Sequence, residues 1–288
     1  MQTQMVKRKS QRQSPPWEDL DPFVLSMIFG CLSLQDLLFC PPYVCRAWLS
    51  ATIHTLFRNS ILDLRLIDDL DDEKQRSRFT HLLKLAINHC QEDWVTIYFP
   101  SNYFFGYFAT VYIAERTPNI SSLFWPSDVS SRALPIYISL FYWKKLRVFH
   151  ARLNPEEWFA VLSQVAEFCK NLVELGVHGE VTEKEVLCVV EGFPRLRLLD
   201  LSESTLSNKA LEILLDQRLQ NLKELNILHC LILDDDGNDI SDGDYCAVKA
   251  WRKQLLEKAC KFMNLKKFLH CLERSCQECK DVVSNSDK

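Results

Sequence analysis

The sequence predicts an α/β protein: an N-terminal three-helix unit followed by a short solenoid in which parallel strands alternate with outer helices. Three observations predict it. Between Trp17 and Phe57, apolar residues recur at helical spacing in short, punctuated runs. From Trp94 onward, a pattern of apolar, two variable residues, apolar, one variable residue, apolar returns at a near-constant interval. Stretches carrying helix-start signals lie between its copies.

The chain has 288 residues, 47% of them hydrophobic and 25% charged, which is ordinary for a globular protein and long enough for a sizeable core. Its net charge of -4 supplies no basic excess, so neither nucleic acid nor an anionic membrane is an expected partner. Residues 1–13 are polar and aperiodic, a disordered basic tail in which Lys7, Arg8 and Lys9 read either as a solvated cluster or as a nuclear localisation signal. No apolar stretch follows that would make a secretory signal, and the sequence has no run of about 18 apolar residues that could span a bilayer, since Val129 to Trp143 is broken by Arg132 and Pro135. The expected location is nucleus and/or cytoplasm, and the 12 cysteines are expected as thiols, mostly buried.

Residues 14–58 form the helical unit. Leu25, Ile28, Phe29 and Leu32 mark one helix, Leu34, Leu37 and Leu38 a second, Val44 and Trp48 a third. Pro22 suits a first helical turn, and Pro41 with Pro42 separates the second helix from the third. A unit this small has little core of its own and is expected to lean on a partner.

Residues 59–233 carry the repeats. Trp94, Ile97, Phe99 is followed by Ile120, Leu123, Trp125, then Leu146, Phe149, Ala151, then Leu172, Leu175, Val177, then Leu196, Leu199, Leu201, then Leu222, Leu225, Ile227, with first members 26, 26, 26, 24 and 26 residues apart. This falls in the roughly 20 to 29 residue period of leucine-rich repeats. Weaker copies begin at Ile61 and Leu265. Helices are expected over Asn154–Phe168, with Pro155 in the first turn, over Thr182–Val190, where Thr182 and Glu185 are spaced as a capping box, and over Ser207–Leu215. Residues 234–246 read as an acidic loop, 247–280 as a helical segment or degenerate last repeat, and 281–288 as a disordered tail.

Because strand side chains alternate, the middle variable position of each copy points to the concave face: Tyr98, Phe124, His150, Gly176, Asp200 and Asn226. Neighbouring positions add Thr96, Ser122, Val148, Glu174, Leu198 and Glu224, then His178 and Ser202. Substrate contact is expected at Tyr98, Phe124, His150, Asp200 and Asn226, with the three rings as the anchor. The competing reading is that these rings only cover the sheet or touch a C-terminal segment.

Glycine-rich phosphate loops and zinc-protease or hydrolase motifs do not occur in the sequence. An enzyme would require distant residues to converge, such as a reactive cysteine with His178 or His229. His270, Cys271, Cys276 and Cys279 are zinc-type ligands, but their charged helical context reads as incidental, and no metal site is assigned.

Trp17 to Trp48 reads WEDLDPFVLSMIFGCLSLQDLLFCPPYVCRAW. Leu20, Pro22, Leu25, Ile28, Phe29, Leu32, Asp36, Leu37, Val44, Cys45, Arg46 and Trp48 stand in the order of the F-box pattern, and with the repeats behind them the chain resembles plant F-box proteins with leucine-rich repeats. Asp21 departs from that pattern, since many members have Leu followed directly by Pro. The resemblance implies a substrate-recognition subunit of an SCF-type ubiquitin ligase. It would be non-catalytic and without a cofactor, docking on a Skp-type adaptor and through it on a cullin and a RING subunit. Adaptor contact is then expected at Leu20, Pro22, Leu25, Ile28, Leu32, Leu37, Val44 and Trp48, and an unknown protein substrate on the repeats. The alternative is a non-degradative repeat scaffold with a regulatory F-box.

Overall fold

The computed structural model describes residues 17, 20–57, 60–89, 94–102, 105–125, 134–152 and 155–271. The expected tails at 1–13 and 281–288, and Cys276 and Cys279, lie outside the described residues. The chain divides into two compact units, residues 1–58 with 70–86 and residues 59–69 with 87–288.

The first unit holds α1 (Pro22–Phe29), α2 (Leu34–Phe39), α3 (Arg46–Leu56) and most of α4 (Glu73–His89). Each start has a local cause. The Asp21 carboxylate accepts from the backbone N–H of Phe23 at 2.8 Å, and Pro22 sits where a helix needs no N–H donor. At α2 the Ser33 hydroxyl oxygen accepts from the backbone N–H of Asp36 at 3.1 Å and donates to the Asp36 carboxylate at 2.8 Å. Pro41 and Pro42 then turn the chain through a short 3-10 segment, Pro41–Tyr43. Leu25, Phe29, Leu37 and Leu38 form the interior, where Phe29 meets Trp48 edge-on at 5.1 Å, and Phe57 meets Phe79 of α4 in the same manner at 5.6 Å.

The second unit contains β1 (Ile61–Asp63), β2 (Thr96–Tyr98), β3 (Ser122–Trp125), β4 (Val148–Arg152), β5 (Glu174–His178), β6 (Glu180–Val181), β7 (Leu198–Asp200), β8 (Thr205–Ser207), β9 (Glu224–Ile227), β10 (Leu231–Leu233) and β11 (Lys267–His270). Eight of them form one sheet in the order β1-β2-β3-β4-β5-β7-β9-β11, every pair parallel. The intervening helices are α5 (Tyr107–Arg116), α6 (Leu134–Ser139), α7 (Pro155–Phe168), α8 (Glu183–Gly192), α9 (Asn208–Leu214) and α10 (Tyr245–Lys261). This is the expected α/β fold of stacked strand–helix repeats.

The register explains the sequence pattern. Leu62, Ile97, Leu123, Phe149, Leu175, Leu199 and Leu225 pair in line across the sheet, and each is 0% exposed, so every repeat contributes one rung to a continuous core. The weak copies at Ile61 and Leu265 supply the two outermost strands, β1 and β11. At α8 the Glu185 carboxylate accepts from the backbone N–H of Thr182 at 2.9 Å, completing the expected capping box.

A second parallel sheet, ordered β10-β8-β6, follows the turns after β5, β7 and β9. The three-position repeat pattern does not predict it. Its signal was present: Val181, Leu206 and Ile232 are buried and recur at repeat spacing. Beside it the Ser204 hydroxyl donates to the Val177 carbonyl at 3.2 Å and the Cys230 thiol to the Leu201 carbonyl at 2.9 Å, so one repeat satisfies a backbone acceptor of the one before.

The acidic segment folds as a turn. The Asp234 carboxylate accepts from the backbone N–H groups of Asp236 and Asn238, which hold its pKa below the ordinary range, and Gly237 adopts a φ of 82°. Asp244 caps α10. That helix packs on α9 through Trp251 Nε1 donating to Asn208 and Lys258 Nζ to Glu212, at 2.8 and 2.7 Å. No helix among the described residues is long and apolar enough to cross a membrane.

Candidate functional site

In the first unit, α1 is apolar on every side. Leu25 and Phe29, four apart, face inward, while Phe23, Val24, Met27 and Ile28 are exposed, Phe23 by 68% and Met27 by 62%. Leu32, Tyr43 and Val44 extend the same exposed apolar character beyond the helix. A helix apolar all round is one that a folded structure buries, and a cluster of large exposed apolar side chains marks an interaction surface.

The residues expected to contact an adaptor separate accordingly. Pro22, Ile28, Leu32 and Val44 are exposed, and Leu20 and Trp48 are half-buried. The Trp48 indole N–H donates to the Trp17 carbonyl at 3.1 Å. Leu25 and Leu37 are corrected: at 1% and 6% exposure they lie in the interior and support the surface from beneath. Phe23, Val24, Met27 and Tyr43 were missed. The Phe23–Met27 and Val24–Ile28 spacings, each of four, were the available signal that α1 carries two outer stripes.

In the second unit, the middle column of the sheet is continuous from Tyr98 through Phe124, His150, Gly176 and Asp200 to Asn226, as register predicts. The Tyr98 and Phe124 rings stack at 4.4 Å and 14°, and the Phe124 and His150 rings at 5.1 Å and 19°. Arg65 closes one end of the stack, its guanidinium 4.3 Å from the Tyr98 ring centre and held by the Asp63 carboxylate at 2.8 and 2.6 Å. At the other end, His150 Nε2 lies 2.8 Å from Glu174 Oε1, and His150 Nδ1 occupies the place that a Cβ on Gly176 would take.

Beyond Gly176, the column turns polar and works locally. Asp200 Oδ1 accepts from the backbone N–H of Ser202 at 3.0 Å and from Asn226 Nδ2 at 2.9 Å, and Asn226 Oδ1 accepts from the backbone N–H of Leu228 at 3.1 Å. Both side chains therefore shape the turns that follow their strands. His178, from the neighbouring column, places Nδ1 2.6 Å from the Ser202 carbonyl oxygen. One ligand atom each from His150, His178 and Asp200 lies within 4.8 Å of the others, a convergence that sequence spacing did not reveal.

The thiols bear on the enzyme alternative. Burial pushes Cys169 and Cys230 up to about 12, so both are protonated near neutrality and are poor nucleophiles. His178 is bonded to a backbone carbonyl, while His229 Nδ1 lies 3.7 Å from Cys271 Sγ.

Against known proteins, the chain is 26% identical to an F-box/LRR-repeat protein of Arabidopsis thaliana over 288 residues, covering 96% of this chain and 90% of that one. It is also 26% identical to the F-box protein SKIP19 of Arabidopsis thaliana, covering 76% of this chain and 70% of that one. No family model matches the chain. A solved internalin from Listeria monocytogenes aligns at a TM-score of 0.36 with 14% identity, covering 76% of this chain and 57% of that one. The pattern that resembles the F-box runs from Leu20 to Trp48 in the first unit, and β1 to β11 with their helices form the repeats of the second. The residues that resemble the F-box pattern have local roles: Asp36 closes the cap of α2 and Trp48 packs on Phe29, while Asp21, which departs from the pattern, caps α1.

Proposed function

We propose that this chain is the substrate-recognition subunit of an SCF-type ubiquitin ligase. Its F-box docks on a Skp-type adaptor, which links it to a cullin and a RING subunit, and the open face of its repeats binds a protein substrate. The chain acts as an adaptor and performs no chemistry of its own. The observation that carries this reading is the outer face of α1, where Phe23, Val24, Met27 and Ile28 are exposed above an interior already filled by Leu25 and Phe29. The stacked Tyr98, Phe124 and His150 rings supply the apolar part of the substrate face.

Co-purification tests it. The full-length protein is expected to capture a Skp-type adaptor and, through it, a cullin, and Phe23→Asp with Met27→Asp is expected to abolish capture while the circular dichroism spectrum is kept. Unchanged capture by that variant would remove α1 from the interface. A protein that retains its repeat partners but captures no adaptor at all would be a scaffold instead. Proteins that accumulate when α1 is so altered, and also when Tyr98, Phe124 and His150 are all replaced by alanine, are the expected substrates.

A further inference from the structure

We propose that His150, His178 and Asp200 form a site for one divalent transition-metal ion on the open face of the repeat sheet. Their ligand atoms lie within 4.8 Å of one another, and all three side chains are half-buried, open enough for an ion to enter. Two imidazoles and a carboxylate are the donor set that suits zinc, iron, cobalt or nickel rather than calcium or magnesium.

The hydrogen bonds around the cluster orient these donors. A carbonyl oxygen only accepts, so His178 Nδ1, 2.6 Å from the Ser202 carbonyl, carries the proton, and its Nε2 keeps a free lone pair. An ionised carboxylate likewise only accepts, so His150 Nε2 donates to Glu174 at 2.8 Å, and the lone pair of the neutral ring lies on Nδ1. Nδ1 is the atom that fills the space above Gly176, beside Asp200 on the next strand. Asp200 Oδ1 accepts from Ser202 and Asn226, which fixes the carboxylate while Oδ2 has no hydrogen-bond partner among the described residues.

Each histidine thus has an acceptor behind it, one carboxylate and one backbone carbonyl, which is the outer-shell arrangement that fixes tautomer and ring direction in metal sites. Gly176 makes it possible. A Cβ there would lie 1.9 Å from His150 Nδ1, so any other residue would push the ring away from Asp200. Metal bonds of roughly 2.0–2.2 Å place donor atoms closer together than the 4.8 Å outer limit seen here, so the proposed ion requires the three side chains to draw together. Three protein ligands leave the remaining coordination positions to water or to a donor from whatever occupies the face.

Cobalt(II) is the probe, because its spectrum separates this site from the cysteines. Full-length protein, stripped with a chelator and titrated with cobalt chloride, is expected to bind one equivalent. Visible ligand-field bands of a nitrogen–oxygen set should appear without a near-ultraviolet thiolate-to-cobalt band. His178→Ala and Asp200→Ala should each weaken binding about tenfold or more. His150→Phe should do the same while keeping a ring on Phe124. A second measurement needs no variant: bound cobalt should protect His150 and His178 from diethyl pyrocarbonate, read by mass spectrometry. Absence of stoichiometric binding, a thiolate spectrum for that equivalent, equal affinity in folded variants, or unprotected histidines would each overturn the site. Adaptor capture is independent of these results, so failure here leaves the docking reading untouched.

Discussion

At the scale of single residues, Gly176 and Cys230 hold positions that composition alone would misread. Gly176 exists for the ring above it, and Gly176→Ala is expected to destabilise the protein by about 1–3 kcal/mol through overpacking, measured by denaturant unfolding. A stability within error of the wild type would show that His150 has room to move aside. Cys230 reads as a small hydrophobe in an apolar run, yet its thiol donates to the carbonyl of the preceding repeat. Because burial raises Cys169 and Cys230 from the ordinary 9.0 to about 12, both should resist alkylation near pH 8, whereas the exposed Cys31, Cys40, Cys246 and Cys260 should label quickly. Peptide mapping after a short iodoacetamide pulse checks this. The sign of the same shift sets an alkaline limit: the folded state holds these protons more tightly, so their stabilisation is complete below pH 9 and is lost as pH rises towards 12.

Elements differ in how much of them could be read. The strands of the main sheet were legible because one face of each is buried by its neighbours, which imposes the same three apolar positions on every copy. The second sheet was not, because each of its strands buries one side chain, Val181, Leu206 or Ile232, rather than the three apolar positions that mark every copy in the main sheet. Helix α1 was half legible. Its existence follows from spacing and Pro22, but spacing cannot say which of its apolar stripes goes inward and so cannot place Leu25 inside and Met27 outside. The two stripes should separate by measurement. Leu25→Ala is expected to cost about 2–5 kcal/mol in unfolding free energy. Met27→Ala should stay within about 0.5 kcal/mol of the wild type and act only on adaptor capture. Equal losses of stability would mean that both stripes are interior.

At the scale of the whole molecule, the repeats make stability a sum over neighbours, so the last repeat matters out of proportion to its length. Strand β11 pairs with β9, and α10 buries Val248, Leu255 and Ala259. Ending the chain before Tyr245 would leave the β9 edge without its partner and is expected to cause association, visible by light scattering and size-exclusion chromatography. A monomeric truncated chain would contradict the capping role. The 43-residue interval before Leu265 holds the turn at Asp234, the short 3-10 segment Ile240–Asp242 and α10 ahead of β11. Convergence of His150, His178 and Asp200 was beyond the reach of sequence spacing, since it depends on how a ring leans across a neighbouring glycine.

The insertion from Asp234 to Gly243 has a practical side. The main sheet regains its register after it, Lys267 against Glu224 and Phe268 against Leu225, so strand pairing ignores how much chain was spent in between. Lengthening such a loop costs little, about 0.6 kcal/mol per doubling. The exposed turn at Asp235 and Asp236 is therefore where a fluorescent reporter or an affinity handle can be spliced into the chain, leaving α1 and the aromatic stack free to be observed at work.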